Sequence, residues 1–167
     1  MKYLIPAFFM LVATLGNAAQ IEAKGLFTAE DKPEMWCLAL NIYFESRNQS
    51  HLGQLAVAHT TINRVVDDRY PNDICAVVKQ GVKNSDGSMK RHKCQFSWYC
   101  DGLTDYPKNI DLWYQAQVVA AEAIGLWSIY DVTEGSTHYH TDKVNPSWAK
   151  TLDEVVQIDD HIFYRWE

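Results

Sequence analysis

The sequence lacks an excess of basic residues. It carries 15 lysines and arginines against 21 aspartates and glutamates, for a net charge of −6. Proteins that bind nucleic acid usually display a basic surface, so this composition argues against a nucleic-acid partner. The one basic cluster, Lys90-Arg91-His92-Lys93, lies in a polar stretch and is predicted to be a solvated loop.

A hydrophobic run long enough to cross a membrane is also missing. The uncharged apolar run from Tyr3 to Leu15 is short for a spanning helix, which needs about 20 residues. Lys2 precedes the run and Gly16-Asn17-Ala18 follows it, which is the pattern of a secretory signal peptide. We therefore expect residues 1–18 to be removed and residues 19–167 to be exported, to the periplasm or the extracellular cell wall, with no stable membrane span and a net charge of −7 after loss of Lys2. A retained anchor is the alternative.

The four cysteines include no C-x-x-C pair, which argues against a structural metal site. An even number of cysteines in an exported protein favours disulfides instead. Three connectivities can be drawn. We prefer a short loop closed by Cys94 and Cys100, with Cys37 and Cys75 linking two helices.

Internal repeats and low-complexity linkers are absent, so we expect one domain over residues 19–167 with its core at about 34–166. Apolar periodicity predicts helices over 28–47, 52–66 and 111–127, and a short one that begins at Pro71 and ends near Gly81. Segments 137–141, 155–158 and 161–165 are predicted to be strands, and Val82 to Lys93 a mobile polar loop. These elements predict a mainly helical α+β domain with a small β-sheet.

Glu45 is the first candidate catalytic residue. It ends the apolar helical stretch that starts at Leu38, where a low dielectric should disfavour the charged form and raise its pKa. A carboxylic acid that stays protonated near neutral pH can act as a general acid, as glycoside cleavage requires. The alternative is an exposed glutamate paired in solvent with Arg47 or Arg64.

Two further patterns could contribute to a site. Gln95-Phe96-Ser97-Trp98 offers an amide, a hydroxyl and an indole that could line a sugar groove. The alternative is a loop whose tryptophan packs in the core. Aromatic residues make up 13 % of the chain. His138 and His140 are two apart and would share one face of a strand. Together with His161 they could form a three-nitrogen zinc site. The alternative is a bridging or hydrogen-bonded histidine beside a groove.

These motifs occur in an order that resembles the cell wall hydrolase family typified by the spore cortex-lytic enzyme catalytic domain. The resemblance extends from Trp36 to Arg165 and rests on seven segments in register: Ile42-Tyr43-Phe44-Glu45-Ser46-Arg47, Gly53-Gln54-Leu55-Ala56-Val57-Ala58 with Ile62-Asn63-Arg64-Val65, Tyr70-Pro71-x-x-Ile74-Cys75-x-Val77-Val78-x-Gln80, Gln95-Phe96-Ser97-Trp98, His138-Tyr139-His140, Val144-x-Pro146-x-Trp148, and His161-x-Phe163-Tyr164-Arg165.

The resemblance implies a lysozyme-like, lytic-transglycosylase-like fold that acts on peptidoglycan glycan strands. It places the catalytic acid at Glu45, which would serve alone as acid and then as base, with no cofactor and no metal. A monomer is expected. The residues expected to bind substrate are Gln95, Ser97, Trp98, Tyr139, His140, His161 and Tyr164.

This chain departs from the family pattern in three places. Members often continue with glutamate-alanine-arginine-glycine-glutamate, whereas here the run is Glu45-Ser46-Arg47-Asn48-Gln49. The segment from Val82 to Lys93 looks like an insertion, and the pair Cys94 and Cys100 looks particular to this chain. Two other functions stay open: a zinc-dependent peptidoglycan peptidase that uses His138, His140 and His161, and a non-catalytic wall-binding module built on the aromatic side chains.

Overall fold

The computed structural model describes residues 25–166, so the predicted signal peptide lies outside the described residues. The α-helices are α1 (Pro33–Ser46), α2 (His51–Val66), α3 (Ile74–Val78) and α4 (Ile110–Leu126). The strands are β1 (Gly81–Lys83), β2 (Met89–Cys94), β3 (His138–Thr141), β4 (Asp153–Ile158) and β5 (His161–Arg165). Two 3-10 helices, η1 and η2, cover Ser97–Cys100 and Ser147–Thr151. The α+β prediction is confirmed.

Helix α1 is the centre of the helical core and packs against α2, α3 and α4. Leu38, Ala39 and Ile42 have no exposed surface. The helix begins at Pro33, so the predicted start at residue 28 is wrong. Thr28 instead bonds to Asp31 within a preceding turn (Oγ1 to Oδ2, 2.8 Å), and proline is favoured in a first helical turn because its missing N–H costs nothing there.

Helix α2 begins against the turn between β4 and β5. The Ser50 hydroxyl accepts a bond from Gly53 N, and the Asp159 carboxylate accepts one from Ser50 N at 2.8 Å. A Cβ at Gly53 would lie 2.3 Å from Asp159 Oδ2 and 2.9 Å from Gln49 Cβ, so a larger residue there would displace the Asp159 carboxylate from Ser50 N. A carboxylate at a helix N-terminus is electrostatically favourable. This contact fixes the β4–β5 hairpin to the helices.

The loop that leads into β3 is held by Asn63 of α2. Its amide donates to the Asp131 carboxylate at 2.9 Å and to the Ser136 carbonyl at 3.0 Å. Its carbonyl oxygen accepts from the Trp127 indole at 2.6 Å. Because a buried side-chain amide is costly when unpaired, these bonds fix where β3 starts.

The strands β3, β5 and β4 form an antiparallel sheet in that order. The segments 155–158 and 161–165, predicted to be strands, lie in β4 and β5, which form a hairpin with Asp159 at φ 50° in its turn. His138 pairs with Tyr164 and Tyr139 with Phe163. Successive side chains alternate between faces, so two sets result. The inner face, with Tyr139, His161 and Phe163, packs towards the helices; the outer face carries His138, His140 and Tyr164.

The segment predicted to be a mobile loop is an antiparallel hairpin of β1 and β2. Its turn spans Asn84 to Ser88, and Asn84 N donates to Ser88 O at 2.8 Å. Residues 97–100, which include part of the segment interpreted as a groove lining or a loop, form η1. Disulfides join Cys37 to Cys75 and Cys94 to Cys100, which is the preferred connectivity.

Helix α4 buries only part of its apolar surface. Val119 and Ala123 are fully buried, whereas Val118 and Ile124 are 39 % and 40 % exposed. Within residues 25–166 no helix is both long and apolar enough to span a membrane.

Candidate active site

Glu45 lies in the last turn of α1, where the helix meets the inner face of the sheet. The preceding residues Ile42 and Tyr43 are buried and anchor this turn in the core. The Tyr139 hydroxyl of β3 donates a hydrogen bond to Glu45 Oε2 at 3.0 Å. The carboxyl group on the helix is therefore held by a hydrogen bond from the β-sheet that packs against it.

Burial dominates the electrostatics of Glu45. It raises the pKa of this carboxyl, while the Tyr139 hydrogen bond and the positive charge of Arg64 lower it by smaller amounts. The pKa of Tyr139 is itself held well above its ordinary value, mainly by burial and then by the Glu45 charge. Glu45 thus retains its proton to a higher pH than a solvated glutamate, as a general acid requires.

Arg64 of α2 is buried near this pair. Its Nε donates to the Thr137 carbonyl at 2.7 Å, and its guanidinium lies 5.1 Å from the Phe96 ring centroid and 5.4 Å from that of Tyr70. Desolvation lowers the pKa of Arg64 from its ordinary value. The sequence suggested Arg64 only as a partner for Glu45 in solvent; its burial was missed.

The solvent ion pair considered from the sequence is not formed. Among the described residues, neither Arg47 nor Arg64 makes an ion pair with Glu45. Arg47 instead donates to the Tyr43 carbonyl at 3.2 Å and lies 5.1 Å from the centroid of the Tyr43 ring. Glu45 is therefore a partly buried, largely desolvated carboxyl that has a hydroxyl as its hydrogen-bond donor.

Trp98 braces the end of α1. Its indole nitrogen donates to Asn41 Oδ1 at 3.0 Å, and its ring stacks on Phe44 at 4.7 Å and 18°. The tryptophan is only 8 % exposed, so its ring face is already used within the protein. Sequence reasoning did not identify Asn41 as part of this contact, although a polar residue within the apolar stretch of α1 could have indicated a buried hydrogen bond. Gln95 and Ser97 are exposed beside Trp98.

A cavity of about 480 Å³ opens beside the end of α1. Phe44, Arg47 and Trp98 form one wall, and the loop after η1, with Asp101 and Asp105, forms another. Burial, and then the charge of Asp101, raises the pKa of Asp105. Sequence reasoning did not identify this loop as part of a site.

The histidines predicted as zinc ligands do not converge. His138 and His140 share the outer face, as their spacing predicted, but His161 pairs with Thr141 and lies on the inner face. No cluster of three or more His, Cys, Asp or Glu side chains suited to a metal ion occurs within residues 25–166. The register of the sheet thus contradicts the zinc-site hypothesis.

The remaining predicted site residues are divided by the same register. On the outer face, His140 Nε2 lies 3.0 Å from the Tyr164 hydroxyl, which also contacts Glu154 at 3.3 Å. On the inner face, His161 meets the edge of the Tyr139 ring, with centroids 5.2 Å apart, and its buried Nδ1 has no partner among the described residues. The structure therefore brings Tyr139, whose ring packs against His161, into contact with Glu45. His140 and Tyr164 lie on the other face of the sheet.

This arrangement can deliver one proton from a low-dielectric site to a bound group.

The sequence model of the cell wall hydrolase family matches residues 48–164, a range that begins just after Glu45. The spore cortex-lytic enzyme of Bacillus cereus is 28 % identical over 127 residues, covering 75 % of this chain. That alignment covers 42 % of the Bacillus protein, so the chain matches less than half of that relative's length.

Two solved structures share the fold. The catalytic domain of the Bacillus cereus SleB protein has a TM-score of 0.61 at 24 % identity, over 81 % of this chain and 91 % of that one. The catalytic domain of the germination-specific lytic transglycosylase SleB from Bacillus anthracis has the same TM-score at 23 % identity, over 81 % and 96 %. The family match spans well over half of the sequence, and the chain therefore belongs to the cell wall hydrolase family.

Proposed function

We propose that this protein is an exported lytic transglycosylase that cleaves the bond between N-acetylmuramic acid and N-acetylglucosamine in peptidoglycan. The observation that carries the proposal is the partly buried Glu45 carboxyl, whose pKa is raised by desolvation and which accepts a hydrogen bond from the Tyr139 hydroxyl. The similarity to a spore cortex-lytic enzyme supports a cell-wall substrate.

In the first step of the proposed reaction, Glu45 gives its proton to the glycosidic oxygen. The bond from this oxygen to the anomeric carbon of the muramic acid breaks, and the leaving sugar departs with a neutral hydroxyl. In the second step the Glu45 carboxylate takes the proton of the muramic acid C6 hydroxyl, whose oxygen attacks the same anomeric carbon. The product is a 1,6-anhydromuramoyl end, and Glu45 is protonated again.

This route needs one protein carboxylate. Retaining glycosidases place two carboxyl groups about 5–5.5 Å apart, and inverting ones about 6.5–9.5 Å apart. Among the described residues, no second carboxylate contributes to the pKa shift of Glu45. An attacking hydroxyl supplied by the substrate accounts for a site of this composition.

We also propose roles for the surrounding residues. Tyr139 orients the Glu45 carboxyl, and His161 supports the Tyr139 ring from behind. The exposed side chains of Gln95 and Ser97 contact sugar hydroxyls, while Trp98 acts by holding Phe44 and α1 in place.

Mass spectrometry of the fragments released from purified peptidoglycan tests the reaction. We expect fragments that end in 1,6-anhydromuramic acid. Reducing muramic acid ends would instead indicate water as the acceptor, and new free amino groups would indicate a peptidase. Tight binding without any soluble fragment would favour the wall-binding module.

Replacing Tyr139 with phenylalanine should shift the alkaline limb of the pH–activity profile to higher pH. The hydrogen bond from Tyr139 stabilises the charged form of Glu45 and lowers its pKa, so its loss raises that pKa and keeps the acid protonated further into the alkaline range. We expect kcat to fall about tenfold from poorer orientation, since such a bond contributes about 1.5 kcal/mol.

Tyr164→Phe is the matched control for this shift. It removes a hydroxyl from the same sheet, but from the outer face, where the partners are His140 and Glu154. Its alkaline limb should stay at the wild-type pH. An unchanged or acid-shifted limb for Tyr139→Phe, measured with initial rates of wall solubilisation, would contradict the proposed control of Glu45.

Export is the last part of the proposal. The bridges Cys37–Cys75 and Cys94–Cys100 are typical of oxidising compartments, where disulfides persist. Peptidoglycan also lies outside the cytoplasmic membrane. Fractionation of cells that express the full chain, with sequencing of the mature N-terminus, tests both the location and the cleavage after residue 18.

A further inference from the structure

The β1–β2 hairpin concentrates positive charge in an acidic protein. The chain carries a net charge of −6, yet between Lys79 and Cys94 there is one carboxylate, Asp86, against five exposed cations: Lys79, Lys83, Lys90, Arg91 and Lys93. Net charge of opposite sign on one projecting element creates a local field that attracts anions. The solvated loop inferred from the sequence is therefore an ordered, charged surface.

The hairpin presents four of these cations, Lys83, Lys90, Arg91 and Lys93, in a fixed geometry, and Lys79 directly precedes it. Gly81 pairs with Cys94 and Lys83 with Met89, so one residue of β1 faces four residues of β2. His92, at φ 57°, lies within this bulge. The base is closed by the Cys94–Cys100 disulfide and by the bond from Gln95 N to Gln80 O at 2.9 Å.

The cations have no acidic partners within the part of the chain that is described. Over residues 25–166, none of the five takes part in an ion pair. Arg91 is held in place within the protein, because its Nε donates to the Asp101 carbonyl at 2.9 Å and its guanidinium packs on Gly102. Lys83, Lys90 and Lys93 extend into solvent and can bind an external anion.

The hairpin also lies next to the candidate active site. Asp101, which accepts the bond from Arg91, lines the cavity that Phe44 and Arg47 border at the end of α1. Glu45 lies between these two residues in the sequence. A polymer bound along the hairpin would therefore run past the helix end that carries the proposed acid.

We propose that the β1–β2 hairpin is a docking surface for the carboxylates of peptidoglycan stem peptides, an inference that rests on the proposed function. The glycan backbone of N-acetylated sugars is neutral apart from the lactyl groups, which are capped by peptide. Cations add little affinity for such a backbone, whereas the stem peptides carry free carboxylates along the whole strand. Charge complementarity therefore selects the peptides.

Sedimentation with purified peptidoglycan freed of phosphate polymers tests this surface. The protein carries Glu45→Gln so that the wall is not digested during the measurement. We expect the triple change Lys83→Gln, Lys90→Gln and Lys93→Gln to weaken binding about tenfold at low salt, as three exposed charge pairs would. Salt should weaken the parent's binding more than the variant's, since it screens exposed charges.

The matched control replaces Lys32, Lys143 and Lys150 with glutamine. These three exposed lysines lie outside the hairpin, and the net charge changes equally. We expect this control to bind as tightly as the parent. Equal binding by the hairpin variant and the parent, or equal losses in both triple variants, would overturn the proposal.

A second substrate identifies the anion. On peptidoglycan whose stem peptides have been removed with an amidase, the parent should bind no better than the hairpin variant. A difference that persists there, or one that appears only on walls that retain phosphate polymers, would also overturn the proposal. These outcomes are separable from the enzymatic one: absence of released fragments with the wild-type protein refutes the proposed reaction and leaves the binding comparison readable.

Discussion

Replacing Glu45 with glutamine should lower the rate of wall solubilisation by about three orders of magnitude or more. A general acid or base contributes about 10²–10⁴-fold, and the proposed reaction uses this one residue in both roles. Glutamine keeps the size of the side chain and can still accept a bond from the Tyr139 hydroxyl. The loss is measured as the initial rate of fragment release from purified peptidoglycan.

Folding of this variant must be shown separately, and the raised pKa gives the expected sign. Burial raises the pKa of Glu45 in the folded protein above its value in the unfolded chain. The stability associated with the neutral carboxyl is present below the unfolded pKa and is lost as pH rises through the folded pKa. Glutamine does not titrate, so Glu45→Gln should unfold at neutral pH with a free energy equal to or above that of the wild type.

Glu30→Gln is the matched control for this loss. Glu30 is exposed and precedes α1, so the same chemical change there should leave the rate unaltered. A Glu45→Gln protein that is folded by circular dichroism and still lyses the wall at a rate close to the wild type would eliminate Glu45 as the acid. In that case the wall-binding hypothesis and other carboxylates, Asp105 first, would need to be considered.

Local patterns predicted the element that carries Glu45, but not what surrounds it. The apolar period of α1 placed Glu45 at the end of a buried helix, and this position is confirmed. The partners of the carboxyl are distant in sequence: Tyr139 is 94 residues away. No local signal reports such contacts, because they depend on how the sheet is placed against α1.

The histidines show where a periodic pattern stops being informative. A spacing of two correctly put His138 and His140 on one face of β3. The face of His161 depends instead on the register between β3 and β5, and a slip of one residue would reverse it. That register is set by the tight turn at Asp159, whose left-handed backbone favours short polar residues but was not recognised as a hairpin signal.

The hairpin of residues 81–94 was missed for a related reason. Neither of its strands has a buried face, so the alternation of apolar and polar residues that predicts strands is absent. Its order comes from the turn at Asn84 to Ser88, from Arg91 and from the disulfide at its base. A polar composition therefore predicted mobility, whereas specific bonds make the segment an ordered arm.

Removal of the Cys37–Cys75 disulfide should have the largest effect on stability. The bridge closes a loop of 38 residues and joins α1 to α3. Restriction of the unfolded chain by a loop of this length contributes about 4 kcal/mol. We expect the double change Cys37→Ala and Cys75→Ala to lower the free energy of unfolding by about this amount, measured by urea denaturation without reducing agent.

The second disulfide provides the control for loop length. Cys94–Cys100 closes a loop of six residues, and its removal by the corresponding double change should lower the free energy of unfolding by about 2 kcal/mol.

The two disulfide variants should differ in function as well. Loss of the long bridge loosens α1 and with it the turn that holds Glu45, so lysis should fail at a lower temperature. Loss of the short bridge frees the base of the cationic hairpin, so wall binding should weaken while the pH profile set by Glu45 and Tyr139 stays in place. Equal destabilisation by the two variants would contradict the loop-length argument, and an unchanged affinity for peptidoglycan in the short-bridge variant would show that the hairpin needs no anchoring at its base.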